Sequence, residues 1–294
     1  MLVDEFVSID INAPWLMPLY HIHHALANDI QHKNYNHNTP LYQWLNAYFL
    51  ANNLELKNSR NKALTFTHQN DLPHGTAYEQ YIGEYHKIPT RNNLHDWFNA
   101  CIWSIFPQSK SLLNNKHLSY IHHNSNDNKR HRTRDTITVF DENGAVLAIK
   151  QSQIGKDIAT ALQNFDWQTC LIHHRQYWHN QHIACNQNNN THAQLFIFGH
   201  ALLEQLITPR KPLCSHTVII VMPDEFFECN TPLKLTLLDN ALATYLQHFL
   251  IDTISPKQLQ PLPILGVPYF WADNQHAEFY QDTFVFRNGR RQSS

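Results

Sequence analysis

The stretch Ile88 to Asn114, IPTRNNLHDWFNACIWSIFPQSKSLLN, gathers Arg91, His95, Asp96, Asn99 and Lys110 with two tryptophans and two phenylalanines. A helix that begins after Asn93 advances by about 100° per residue. That spacing places His95, Asp96 and Asn99 on one flank beside Trp103, away from a core face of Leu94, Phe98, Cys101 and Ile105. A histidine and a carboxylate presented this way can serve as general base or metal ligand, with Asn99 as orienting amide and the aromatic wall moving a pKa toward neutrality. The same residues also suit a structural task. Asn93 caps the helix, Asp96 answers the free backbone amides of the first turn, and His95 bonds a neighbouring loop.

Arg91 precedes that helix start, where free amides already favour anions. With Lys110, Arg132 and Arg134 it could clamp a phosphate or carboxylate, or it could pair with Asp135 or Asp141 instead. Asp135, beside Arg134, is the better acid of its segment, because Asp141 and Glu142 sit in an Asp-x-x-Gly pattern ordinary for a turn. A second junction, Gly199-His200, stands where a strand gives way to a helix, and Glu204 follows His200 by one turn on the same face. A histidine and a glutamate so spaced can share a metal. The candidate catalytic residues are therefore His95, Asp96, Asp135 and His200, and the substrate-binding ones Arg91, Asn99, Trp103, Lys110 and Arg134. His95, His200 and Glu204 are the candidate ligands of a divalent metal cofactor.

Composition removes several classes of function. The chain has 294 residues, 43% hydrophobic and 12% aromatic, enough for a well-buried core. Its formal net charge of −2 gives no global pull toward nucleic acid or an anionic membrane. With 22 histidines, no single pair such as His122-His123 or His173-His174 marks a metal site. The five cysteines are odd in number, scattered and never spaced Cys-x-x-Cys, which argues against a disulfide framework or a zinc knuckle. Seven glycines form no phosphate-binding loop and no nucleophile elbow. The acidic start MLVDEFVSID and the lack of a long apolar run predict a cytoplasmic protein without a membrane partner.

The elements that must position these residues follow from periodicity. Helical spacing predicts helices from Trp15 to Ile30, from Leu41 to Phe49, after Asn93, after Pro107 and from Leu233 to Leu250. Lys156 to Leu162 and His200 to Ile207 add shorter ones. Ala63 to Thr67, Ala193 to Phe198 and His216 to Met222 read as strands, and Thr76 to His86 carries no clear type. ITVF-DENG-AVLAI predicts a hairpin over 136–149, and Ser125 to Arg134 and Cys185 to Asn190 predict loops. Four prolines between Pro256 and Pro268 predict a segment draped over the surface. Helices and strands do not alternate as βαβ units, so the expected fold is α+β: one helix-rich globular domain over 1–294 with a small mixed or antiparallel sheet. Within it a helical lobe 1–125 and a mixed lobe 126–294 are discernible.

The motifs PTRNNLHDWFN and WSIFPQSK at 89–110, RD and T-x-FDENG at 134–144, FGHALLE at 198–204, and LPILGVPYFW with a later VFR at 262–287 occur in one order. In this the chain resembles a bacterial family designated domain of unknown function 3025, over about two thirds of its length. The resemblance implies no activity and carries across no catalytic residue.

Two expectations from different classes follow. The first is a hydrolase or transferase acting on a small anionic molecule, in which His95 and His200 meet in one cleft with Asp96 or Asp135. A separation beyond about 12 Å would exclude a shared site. The second is an RNA-binding module that uses the basic loop 129–134 with Trp167, Tyr177 and Trp178 as exposed stacking aromatics. A structural or interaction protein without catalysis is the third.

Overall fold

A computed structural model describes residues 2–123, 132–181, 190–251 and 254–290. Three helices, α1 (Leu2–Phe6), α2 (Tyr20–Gln31) and α3 (Leu41–Ala51), lead into strand β1 (Thr65–His68), helix α4 (Tyr78–Tyr85) and strand β2 (Lys87–Thr90). Then come α5 (Leu94–Ile105), α6 (Pro107–His123), α7 (Arg132–Asn143), β3 (Gly144–Lys150), α8 (Gln153–Gln163), β4 (Ala193–Ile197) and α9 (His200–Gln205). Strand β5 (Cys214–Met222), helices α10 (Asp224–Glu228) and α11 (Thr231–Phe249) and strand β6 (Gln260–Pro263) complete the regular elements. The fold is α+β, with a parallel β1-β2 pair and a mixed sheet in the order β4-β3-β5-β6.

Strand β3 lies inside the mixed sheet, antiparallel to β4 and parallel to β5. Its residues Gly144 to Ile149 are all buried, which is why it reads as a continuous apolar run rather than an alternating one. Strand β6 takes the edge, where a proline removes no ladder hydrogen bond, and Pro261 and Pro263 pair with His216 and Cys214 of β5. One cluster of buried apolar side chains runs from Leu2 to Phe286. Helix α5 is set deep in it, with Trp97, Phe98, Cys101 and Ile102 fully buried. Among the described residues no helix is long and apolar enough to cross a membrane.

The hairpin expected over 136–149 is instead a helix followed by a strand. Thr133, Thr136, Ile137 and Phe140 are buried at i, i+3, i+4 and i+7, the stripe of a helix packed on one side. The β-branched threonines that suggested a strand donate hydroxyl bonds back along the helix, Thr136 to the Arg132 carbonyl at 3.0 Å and Thr138 to the Arg134 carbonyl at 3.0 Å. DENG therefore closes a helix. Gly144 is required there because a Cβ would lie 2.2 Å from the Phe140 carbonyl oxygen. The loop expected over 125–134 loses Arg132 to Arg134 to the first turn of α7, and its remainder lies outside the described residues, as does most of Cys185 to Asn190.

The proline-rich segment does not drape over the surface. Leu262 and Ile264 are fully buried, with Leu265 and Val267 nearly so, because the prolines break regular structure without lessening the apolar character of the residues between them. Thr76 to His86 supplies α4, closed by His86 in the left-handed conformation at φ 61°.

Candidate functional site

Asn93 caps α5 as its spacing requires, its side-chain oxygen accepting the Asp96 amide at 2.8 Å. This fixes His95 at the start of the helix. His200 opens α9 directly after Gly199, where a Cβ would lie 2.5 Å from the Glu142 carbonyl oxygen and 2.6 Å from the Asn143 backbone. Only glycine lets the chain cross the end of α7 so closely, and that crossing brings His200 against Asp141 and Glu142.

The two histidines meet. Their Nε2 atoms lie 3.1 Å apart with the rings inclined at 74°. His200 Nδ1 stands 2.9 Å from the Asp141 backbone carbonyl, which can only accept, so that nitrogen carries the hydrogen. His95 Nδ1 stands 2.9 Å from Glu204 Oε2, a carboxylate that likewise accepts. Glu142 Oε2 is 3.4 Å from His200 Nε2. One ligand atom each from His95, Glu142 and His200 fall within 4.8 Å of one another.

Burial drives His200 down to about 4, with Lys110 and His95 adding to the effect against the opposing pull of Asp141. Its imidazole is therefore neutral at pH 7. Burial also raises the Glu142 carboxyl above its ordinary value, and repulsion from Asp141 adds to that. For Asp141 burial acts upward too, but Lys110 Nζ at 2.6 Å and the neighbouring His200 hold the carboxylate below its usual range. Tyr78 lies well above its usual value through burial and the nearby charges of Glu79 and Asp96. Asn99 donates to its hydroxyl oxygen at 3.0 Å.

A cleft of about 330 Å³ opens over this centre, and Tyr78, Glu79, Arg91, Asp96, Asn99 and Glu142 line it around the histidines. Arg91 does not pair with Asp135 or Asp141. It forms a fork with Asp96, through Nε at 3.0 Å and one terminal nitrogen at 2.8 Å, while Asp96 also accepts the Arg91 amide at 2.6 Å. Asp96 thus holds a helix start together, the structural task its first-turn position allowed. Lys110 and Trp103 face the core. Lys110 is buried on Asp141 and its ammonium sits 5.5 Å from the Trp103 ring centroid, and neither side chain lines the cleft. Asp135 and Arg134 occupy the first turn of α7 and line no part of the cleft, because the segment expected to fold back as a hairpin runs straight as a helix.

The expected stacking platform is not on the surface. Trp178 is fully buried with its indole N–H on the Cys170 carbonyl, Trp167 is buried with its own on the Arg287 carbonyl, and Tyr177 is half-buried. Their large apolar rings go inside, and in both a backbone carbonyl takes the indole N–H. Residues 129–131 of the basic loop lie outside the described residues. Glu142, in a turn-like Asp-x-x-Gly pattern, and Tyr78, in a segment of no clear type, carry little local signal of a place in the cleft. The helical stripe through Thr133, Ile137 and Phe140 is the signal that would have moved Glu142 from a turn to a helix end.

Helices packed on a small mixed sheet, with two facing histidines and a carboxylate lining one cleft, define an α+β protein with a candidate catalytic centre. The chain belongs to the DUF3025 family, described as protein of unknown function, whose profile matches residues 64–290 and so spans every residue of the centre. No curated protein and no solved structure matches it.

Proposed function

We propose that this cleft is the active site of an enzyme, a hydrolase or transferase acting on a small polar molecule. The observation that carries the reading is the 3.1 Å approach of His95 Nε2 to His200 Nε2, one ring buried and one at the cleft surface. A water or a substrate hydroxyl in front of them meets acceptor atoms from His200 and Glu142, the requirement for general-base catalysis. Tyr78, which stays protonated at neutral pH, lines the same cleft and is the candidate proton donor.

An anionic substrate fits in one respect and conflicts in another. Arg91 lines the cleft with its side chain about half exposed. Yet Glu79, Asp96, Asp141 and Glu142 also line it, so an anion is favoured only if further positive charge is present. The test is turnover of a panel of phosphate monoesters, phosphate diesters and carboxylate esters, with and without added divalent metal. His200→Gln and His95→Gln should each lower the rate by about 100-fold or more, the usual worth of a positioned acid or base. Equal rates for wild type and both variants, with the fold intact by circular dichroism, would refute the assignment.

A further inference from the structure

We infer that His95, His200 and Glu142 bind a divalent transition-metal ion through the two Nε2 atoms and one carboxylate oxygen. It rests on the reading of this cleft as the functional centre, yet it is measured by binding alone. The hydrogen-bond partners carry the argument. The Asp141 carbonyl and the Glu204 carboxylate each take a hydrogen from an Nδ1, so in neutral rings both Nε2 atoms present lone pairs. Two lone pairs 3.1 Å apart, with a carboxylate oxygen 3.4 Å from one of them, repel unless something positive lies between them. A single proton can join the two nitrogens but leaves Glu142 unanswered, whereas a cation answers all three.

The distances suit an ion. At ligand distances of about 2.05 Å, atoms 3.1 Å apart subtend roughly 100° at the metal, and atoms 3.4 Å apart roughly 110°. Both lie near the tetrahedral angle. Glu142 is 36% exposed and free to turn its carboxylate closer to His95. The outer contacts repeat what metal-bound histidines ordinarily have, one ring resting on a backbone carbonyl and the other on a carboxylate, which fixes the tautomer and the ring plane. Among the described residues no other group of His, Cys, Asp and Glu converges this way. Two imidazoles and a carboxylate select a borderline ion such as Zn²⁺ or Co²⁺ over Mg²⁺ or Ca²⁺. Such an ion would supply positive charge for an anionic substrate in this cleft and would polarise its oxygen; with both Nε2 atoms engaged as ligands, proton acceptance would fall to the second carboxylate oxygen of Glu142.

The experiment uses the full chain, stripped with EDTA and titrated with Zn²⁺ by calorimetry and with Co²⁺ by visible absorption. One equivalent of tight binding is expected, with the ligand-field bands of a low-coordinate Co²⁺ site. His95→Gln and His200→Gln should abolish it. Glu204→Gln should weaken it by about 10- to 100-fold although Glu204 does not touch the ion. Glu204 is half-exposed, so this variant folds even if the buried histidine's does not. The exposed pair His21→Ala with His24→Ala should change nothing, which separates this site from the other histidines. No stoichiometric binding by folded protein, or binding that survives both His95→Gln and His200→Gln, overturns the inference. Metal bound with no turnover of any panel substrate would sink the enzymatic reading and leave the metal site standing. Turnover by stripped protein that binds no metal would do the reverse.

Discussion

Replacing His23 by leucine should remove a defined share of the protein's sensitivity to acid. His23 sits in α2 with its ring against Phe6, Trp97 and Phe98, 1% exposed, and neither ring nitrogen has a hydrogen-bond partner among the described residues. Burial depresses it to about 3. Between that value and about 6.5 the unfolded chain binds a proton that the folded chain refuses, so stability falls as pH falls. The contribution is fully present above the unfolded value and is lost progressively down to the folded one. Working the linkage through for pH 7 to pH 5 gives a loss of about 2 kcal/mol from this residue alone. Leucine has a similar volume and no proton to bind. At pH 7 it also removes two unsatisfied buried nitrogens, worth roughly 1–3 kcal/mol before any misfit of shape. Urea denaturation of wild type and His23→Leu at both pH values gives a double difference in which the remaining histidines cancel. The expected result is that the variant loses about 2 kcal/mol less than wild type on acidification. Parallel pH dependence in the two proteins would refute the claim that this core holds a neutral imidazole.

Three further outcomes test the frame of the site. Gly199→Ala should destabilise by about 1–3 kcal/mol in urea and weaken Zn²⁺ binding, because its Cβ meets the backbone of Glu142 and Asn143 rather than a movable side chain. Lys110→Met leaves the Asp141 carboxylate without its 2.6 Å partner and should cost about 3–5 kcal/mol, most of it recovered when Asp141→Asn is added; additive losses would show that the pair is uncoupled. Asn93→Ala removes the cap on α5 and should cost about 1 kcal/mol by thermal or urea unfolding, while an unchanged midpoint would mean the first turn is held by Asp96 and Arg91 alone.

The sequence was most legible where one element answers to its own side chains. Apolar spacing located α3, α5 and α11 and the greater part of α2, whose expected first turns after Trp15 form a 3-10 helix at Pro14–Leu19 instead, and the cap Asn93 marks a helix start by chemistry that local spacing carries. It failed at 136–149, where threonine, isoleucine and valine favour a strand in isolation but a buried helical stripe against the core prevails. It failed again for Trp167 and Trp178, because whether an aromatic ring is buried depends on which elements pack over it, and both rings lie in the core.

For the site, the chain by itself nominated His95, His200, Arg91, Asp96 and Glu204, since residue type and helix position need no third dimension. It proposed that His95 and His200 share a cleft, which they do, but it set Glu204 beside His200 where it bonds His95 and set Arg91 toward distant acids. Arg91 turned to Asp96 five residues away, a local bond that outcompeted the long-range partners considered for it. His95 and His200, 105 residues apart, meet because α5 packs on α9 and because Gly199 admits the end of α7. Local sterics decide which residues form a helix and which face turns inward. Convergence of side chains from three separate helices is decided by close packing between elements, and no spacing along the chain encodes that distance.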